Sequence, residues 1–176
     1  KAEVLYNYLG KNPRYVSIQL GIGGYKPIAA MSTDKSKFGD CKGLSLYLKA
    51  LLDAAGIKSY FTIVYSGKRK ELPADYACSS LMNHAILKVE LPQGDLWLEC
   101  TAADHFPFGY IHQDIAGHDA LVIKEGKGVL ERIPDYPDSL NVISENILLS
   151  VDERGTVQGE SRIRFGCVEA ENVWDK

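Results

Sequence analysis

The sequence predicts an α+β fold, and three observations predict it. A capped, amphipathic helix spans residues 40–55, β-rich segments follow it, and two of these form a tight hairpin over residues 84–100. The chain has 176 residues, 45% of them hydrophobic. That is enough apolar surface to bury one sizeable core.

The elements follow in order. Residues 2–9 have helical character, with Gly10 as the stop, and residues 14–20 form a short strand-like run. A glycine turn over residues 21–24 leads into a polar loop, 25–38, that contains Pro27. The helix over 40–55 is the clearest element. Leu44, Leu48, Leu51, Leu52 and Ala55 recur at three- and four-residue intervals and make one apolar stripe. Asp40 is suited to cap its first turn and Gly56 to end it. Residues 59–65, rich in aromatic and β-branched side chains, read as a strand. A charged, irregular insertion over 67–80 precedes the hairpin. In the hairpin, residues 84–91 alternate in hydrophobicity, Pro92-Gln93-Gly94 turn the chain, and residues 95–100 return. Residues 101–117 form an aromatic loop, 120–123 a short strand, and 146–151 with 156–165 a second hairpin around residues 152–155. Pro-rich residues 133–138 lie within an expected linker. The expected division is therefore a first domain over 1–125, a linker over 126–143 and, over 144–176, a β-hairpin that begins a further β-rich domain. The chain starts in mid-pattern at Lys1, as expected of a piece cut from a longer protein, and carries no address of its own.

The formal net charge of −3 argues against nucleic acid as a partner, because phosphate binding wants a basic surface. No run of about 18 apolar residues is present, so no membrane insertion is expected. Cys41, Cys78, Cys100 and Cys167 are widely spaced without a C-x-x-C pair, unlike a zinc knuckle. Disulfides among them stay open, since a chain of this length does not need them.

A cysteine becomes a nucleophile when something stabilises its thiolate. Cys41 falls in the first helical turn, where unpaired backbone N–H groups and the helix dipole favour an anion. Asp40 opposes that through its own charge, so a neighbouring imidazole has to supply the rest. His84 begins a hairpin strand, and an imidazole base needs an acceptor on its far nitrogen. If Glu90 pairs with Asp95, then Glu99 and His84 share a face as diagonal neighbours, roughly 7–8 Å apart at Cα. A slip of one residue would put them on opposite faces. Each residue also has an ordinary reading: a buried structural cysteine, a half-buried histidine, a solvent-facing glutamate. The combination favours chemistry. His105, His112 and His118 match no metal-ligand spacing, and no metal or cofactor is expected. Residues 21–24 lack the Lys-Ser/Thr of a phosphate loop and read as a turn. Lys68-Arg69-Lys70 reads as a solvated loop tip.

These residues carry a resemblance. The run Phe38-Gly39-Asp40-Cys41-Lys42-Gly43-Leu44 with its following helix resembles the Gly-Asp-Cys-Lys helix of transglutaminase-like domains. Asn83-His84-Ala85-Ile86 and Leu96-Trp97-Leu98-Glu99-Cys100-Thr101 resemble that family's Asn-His strand and Trp-Leu-acid-x-Thr strand. Residues 14–19 and 23–27 resemble the lead-in of a bacterial subgroup frequent in the Bacteroidetes, in which this domain lies between β-rich domains of unknown function. The resemblance covers roughly residues 1–125. It implies a papain/transglutaminase-like α+β core, with a central Cys-bearing helix packed on an antiparallel β-sheet. It implies Cys41 as nucleophile, His84 as base and acid, and Glu99 as orienting acid, where the family usually has Asp. It implies Gln19 as an oxyanion aid, and Tyr25, Asn83 and Phe108 are expected to bind substrate. The expected activity is thiol-dependent acyl transfer or hydrolysis of a peptide, protein or other amide, in the bacterial periplasm or at the cell surface. The alternative is an inactive fold that binds a peptide or glycan, with the aromatic loop 106–110 forming the groove.

Overall fold

The computed structural model describes residues 1–68 and 81–174, so most of the charged insertion expected over 67–80, Cys78 included, lies outside the described residues. Two compact units result, Lys1–Pro134 and Asp135–Lys176.

The first unit is mixed α+β. Its helices are α1 (Ala2–Lys11), α2 (Ala30–Ser36) and α3 (Cys41–Ala54). A short parallel pair joins β1 (Arg14–Tyr15) to β2 (Phe38–Gly39). The main sheet holds β3 (Ser59–Val64), β4 (His84–Leu91), β5 (Gly94–Leu98), β6 (Asp119–Lys124) and β7 (Lys127–Arg132). Its order is β5-β4-β3-β6-β7, and every neighbouring pair is antiparallel.

α3 forms where its stripe and cap place it. The Asp40 side chain accepts the Gly43 backbone N–H at 2.9 Å, satisfying one orphan donor of the first turn. Leu44, Leu48 and Leu52 are fully buried, whereas Ala55, expected on the stripe, is an exposed C-cap. These leucines meet Leu87, Val89 and Leu98 of the sheet and Tyr6 and Leu9 of α1 in one cluster. The opposite sheet face is also dry, with Thr62, Val64, Ile86 and Val122 all fully buried. The α3 side is less complete over β3, where Phe61 and Ile63 stay half-buried.

Four elements depart from the sequence expectation. Helix α1 runs through Gly10 to Lys11, because Gly10 is there for close approach: a Cβ would lie 2.5 Å from the Ala103 carbonyl oxygen. Residues 14–20 give only the two-residue β1, and Gly21–Gly24 wind as a 3-10 turn. The expected loop 25–38 contains α2, whose single buried residue, Thr33, is too little for a periodic signal. The expected linker begins too early, since β7 completes the sheet within residues 126–143. β7 is an edge strand, half-buried at most, so it lacks the hydrophobic run of an inner strand.

Gly10→Ala is expected to lower stability by about 1–3 kcal/mol through overpacking against backbone, seen as a lower urea midpoint. An unchanged midpoint would show that residues 103–104 yield freely.

The second unit has the hairpin β8 (Ile143–Val151) and β9 (Val157–Phe165), then α4 (Val168–Trp174). The pairing register puts Ile143, Ile147, Leu149, Val151, Val157, Ile163 and Phe165 on one face.

Candidate functional site

The β4–β5 register pairs Glu90 with Asp95 and Leu87 with Leu98, which places His84 and Glu99 on one face. The link closes: His84 Nε2–H donates to Glu99 Oε2 at 2.7 Å. The other glutamate oxygen is held too. Oε1 accepts the Thr101 backbone N–H at 2.9 Å and the Thr101 hydroxyl at 2.6 Å. This clamp sets a side chain one methylene longer than aspartate at hydrogen-bonding distance from the ring. The His84 and Glu99 side chains are 16% and 6% exposed, so bulk water screens the pair weakly.

Helix α3 delivers Cys41 to the same place. The Ser45 hydroxyl, one turn along, donates to the Ala85 carbonyl at 3.1 Å and pins the first turn of α3 to β4. The Cys41 thiol lies near enough to His84 to help raise its pKa, and both residues line the same cavity. With Nε2 taken by Glu99, Nδ1 is the ring atom left for the sulfur.

The electrostatics follow from this geometry. Burial is the largest single influence on His84 and by itself lowers its pKa. The Glu99 carboxylate and its hydrogen bond, with the nearby Cys41 thiol, outweigh burial and raise the pKa to about 10. Burial likewise pushes Glu99 up, but the His84 charge and the bonds from His84 and Thr101 bring it down to about 2. Cys100 is the contrasting thiol: it is fully enclosed, and burial pushes it well up.

Cys41 and His84 open onto a cavity of about 610 Å³. Gln19, Tyr25 and Asn83 also line it, with Lys42 on one side and Phe61, Ile63 and Met82 as apolar wall. Tyr25 is 76% exposed and so is open to a ligand. The Asn83 amide is already engaged: Oδ1 accepts the Ser66 N–H at 2.7 Å, and Nδ2 donates to the Ser66 carbonyl at 3.0 Å. It braces the entry to β4. Phe108 is not at the cavity. It packs edge-on to Tyr6, centroids 5.6 Å apart, against the core. Phe106 stacks on Tyr110 at 5.4 Å and meets His112 edge-on, so these rings contact one another.

The remaining histidines are also engaged. His118 Nδ1–H donates to the Tyr65 carbonyl at 2.7 Å, His112 Nδ1 accepts the Asp114 N–H at 3.1 Å, and His105 lies 3.3 Å from Asp104. Among the described residues no group of three or more His, Cys, Asp or Glu side chains is placed to hold a metal ion. Among them, too, Cys41, Cys100 and Cys167 are free thiols, and no helix is long and apolar enough to cross a membrane.

No family model matches the chain, and no curated protein does. A solved structure does: a protein from Parabacteroides distasonis described as a "putative protease", with a TM-score of 0.59 and 16% identity. The match covers 85% of this chain and 30% of that protein. At that identity the likeness is one of fold. The chain spans under a third of the length of its structural neighbour.

Sequence reasoning missed four contributors. Lys42 lies beside Cys41 in the cavity wall, Ser45 pins the helix, and Phe61 and Ile63 form the apolar wall. Lys42 stood in the Gly-Asp-Cys-Lys run without a role assigned to it, Phe61 and Ile63 carried the signal of alternate strand residues, which share a face, and Ser45 carried none.

Proposed function

We propose that residues 1–134 form a transglutaminase-like, papain-related thiol enzyme that cleaves or transfers the acyl group of a peptide or related amide. The observation that carries this reading is Cys41 at the wall of the same cavity as His84, whose ring is hydrogen-bonded to Glu99 behind it. Support for the fold comes from the α+β architecture and its likeness to a Bacteroidetes protein described as a protease.

The Cys41 thiolate attacks the amide carbonyl carbon, forming a C–S bond. The Cys41 backbone N–H and the Gln19 side-chain amide donate to the oxygen as it becomes an anion. The His84 imidazolium gives its proton to the leaving amine as the C–N bond breaks. Neutral His84 then takes a proton from water, for hydrolysis, or from a second amine, for transfer, and the attacking atom displaces the sulfur. Glu99 holds the ring and stabilises its charged form. The Phe61, Ile63 and Met82 wall suits an acyl group with an apolar side chain. The hairpin of β8 and β9 belongs, on this reading, to a separate β-rich domain.

Iodoacetamide labelling of the full chain tests the nucleophile. Cys41 is expected to react at least about tenfold faster than Cys100 and Cys167 at neutral pH, as an activated thiolate does. Equal, slow labelling of the three thiols would overturn the reading.

A further inference from the structure

We propose that Lys42 is a positioning residue for the Cys41 thiolate, its buried ammonium cancelling the charge of the Asp40 carboxylate that caps the same helical turn. This rests on Cys41 being the nucleophile.

Asp40 is 2% exposed and Lys42 8%. One Asp40 oxygen, Oδ1, accepts the Gly43 N–H at 2.9 Å as the helix cap. The other, Oδ2, accepts from the Lys42 ammonium. These two charges bracket Cys41 in the sequence. A lysine in the first turn of a helix works against the helix dipole, and a lysine this buried needs a partner. The position is therefore costly for stability alone. Its effect on the sulfur is direct. An uncompensated carboxylate one residue away would oppose a negative sulfur, whereas a carboxylate neutralised by Lys42 leaves the backbone N–H groups and His84 free to favour it. Asn would cap the helix without charge. With Asp in that place, a nearby cation is what keeps the cap compatible with a thiolate.

Two other titratable groups, His84 and Cys100, interact electrostatically with Cys41. His84 approaches from β4, with Glu99 behind it, and the Cys100 thiol follows β5. Burial keeps Cys100 neutral, and Glu99 is spent on His84. The Asp40–Lys42 pair is thus the adjustable charge on the α3 side.

The test is the pH dependence of Cys41 alkylation by iodoacetamide, followed by mass spectrometry between about pH 4 and 10, for wild type, Lys42→Met, Asp40→Asn and the double variant. Lys42→Met is expected to move the half-maximal pH upward by about one unit, so that alkylation at pH values well below the midpoint slows about tenfold. Asp40→Asn is expected to move it downward, and the double variant to return near wild type. A merely structural role for Lys42 moves none of these midpoints in opposite directions. Should Lys42→Met fail to fold by circular dichroism, Asp40→Asn decides alone, since Asn keeps the cap: an unshifted profile overturns the proposal. Unshifted profiles in folded variants also overturn it while leaving the enzyme reading intact. If wild-type Cys41 reacts no faster than Cys167, the enzyme reading itself falls, and this role with it.

Discussion

Cys41→Ala is expected to abolish turnover, by about a thousandfold or more, while leaving the fold in place. The substitution removes one sulfur from a residue whose side chain sits at a cavity wall, not within the leucine cluster that fixes α3. The helix keeps its Asp40 cap and its Ser45 anchor on β4, so the cost in stability is expected to be only about 1 kcal/mol. His84 keeps its bond to Glu99. Activity and stability should therefore separate cleanly. The measurement is hydrolysis of a peptide and amide library by wild type and variant, beside their urea midpoints. Turnover retained in the variant would show that the sulfur is not the nucleophile. Loss of both turnover and folding would show that Cys41 is a core residue. That second outcome is the ordinary reading of a cysteine at a helix mouth, and the experiment sets it directly against catalysis.

The parts of the site that could be read ahead are those encoded by periodicity. Helix α3 has a three-and-four spacing and a capping carboxylate, and it forms from Cys41 to Ala54. The hairpin has alternation and a tight turn, so its register followed from one assumption, the pairing of Glu90 with Asp95. That register brought His84 and Glu99 to one face, and the bond between them needed only a side chain long enough to span the diagonal. What stayed hidden has a common cause: its logic is tertiary. Thr101 clamps Glu99 through a bend after β5 that no strand pattern specifies. Lys42 stands in the Gly-Asp-Cys-Lys run, yet what its charge does is not legible until its ammonium is seen folded back on Asp40. Phe108 reads as a loop aromatic free for substrate, yet it turns inward onto Tyr6. Gly10 reads as a helix stop, yet its lack of a side chain serves contact with Ala103. Edge strand β7 falls short of a strand signal because only β6 needs it.

Glu99→Ala is expected to be the most disruptive substitution to stability in the site, and the effect carries a pH signature. Removing one partner of a buried pair leaves the other charge uncompensated and costs about 3–5 kcal/mol. The signs follow from the two shifts. His84 is raised from its ordinary 6.5 to about 10, so its contribution is complete below pH 6.5 and is lost as pH climbs through 10. Glu99 is lowered from 4.5 to about 2, so its contribution is complete above pH 4.5 and is lost as pH falls through 2. Both are in full force only between pH 4.5 and 6.5. The difference in unfolding free energy between wild type and Glu99→Ala should therefore be widest in that window and narrow on either side. In the variant, burial acts on His84 without its counter-charge and favours the neutral ring, so acid should unfold the variant first. Glu99→Gln offers the ring a hydrogen-bond acceptor without the charge, and it should recover part of the stability while keeping the loss of the pH window. On the proposed mechanism, turnover should fall about a hundredfold or more in both variants, because the imidazolium assigned to protonate the leaving amine loses its support. Urea unfolding at a series of pH values checks the window. A wild-type-to-variant gap that stays flat from pH 4 to 10 would mean that the 2.7 Å contact joins neutral partners, and that the acid in this site shapes the fold without charging the base.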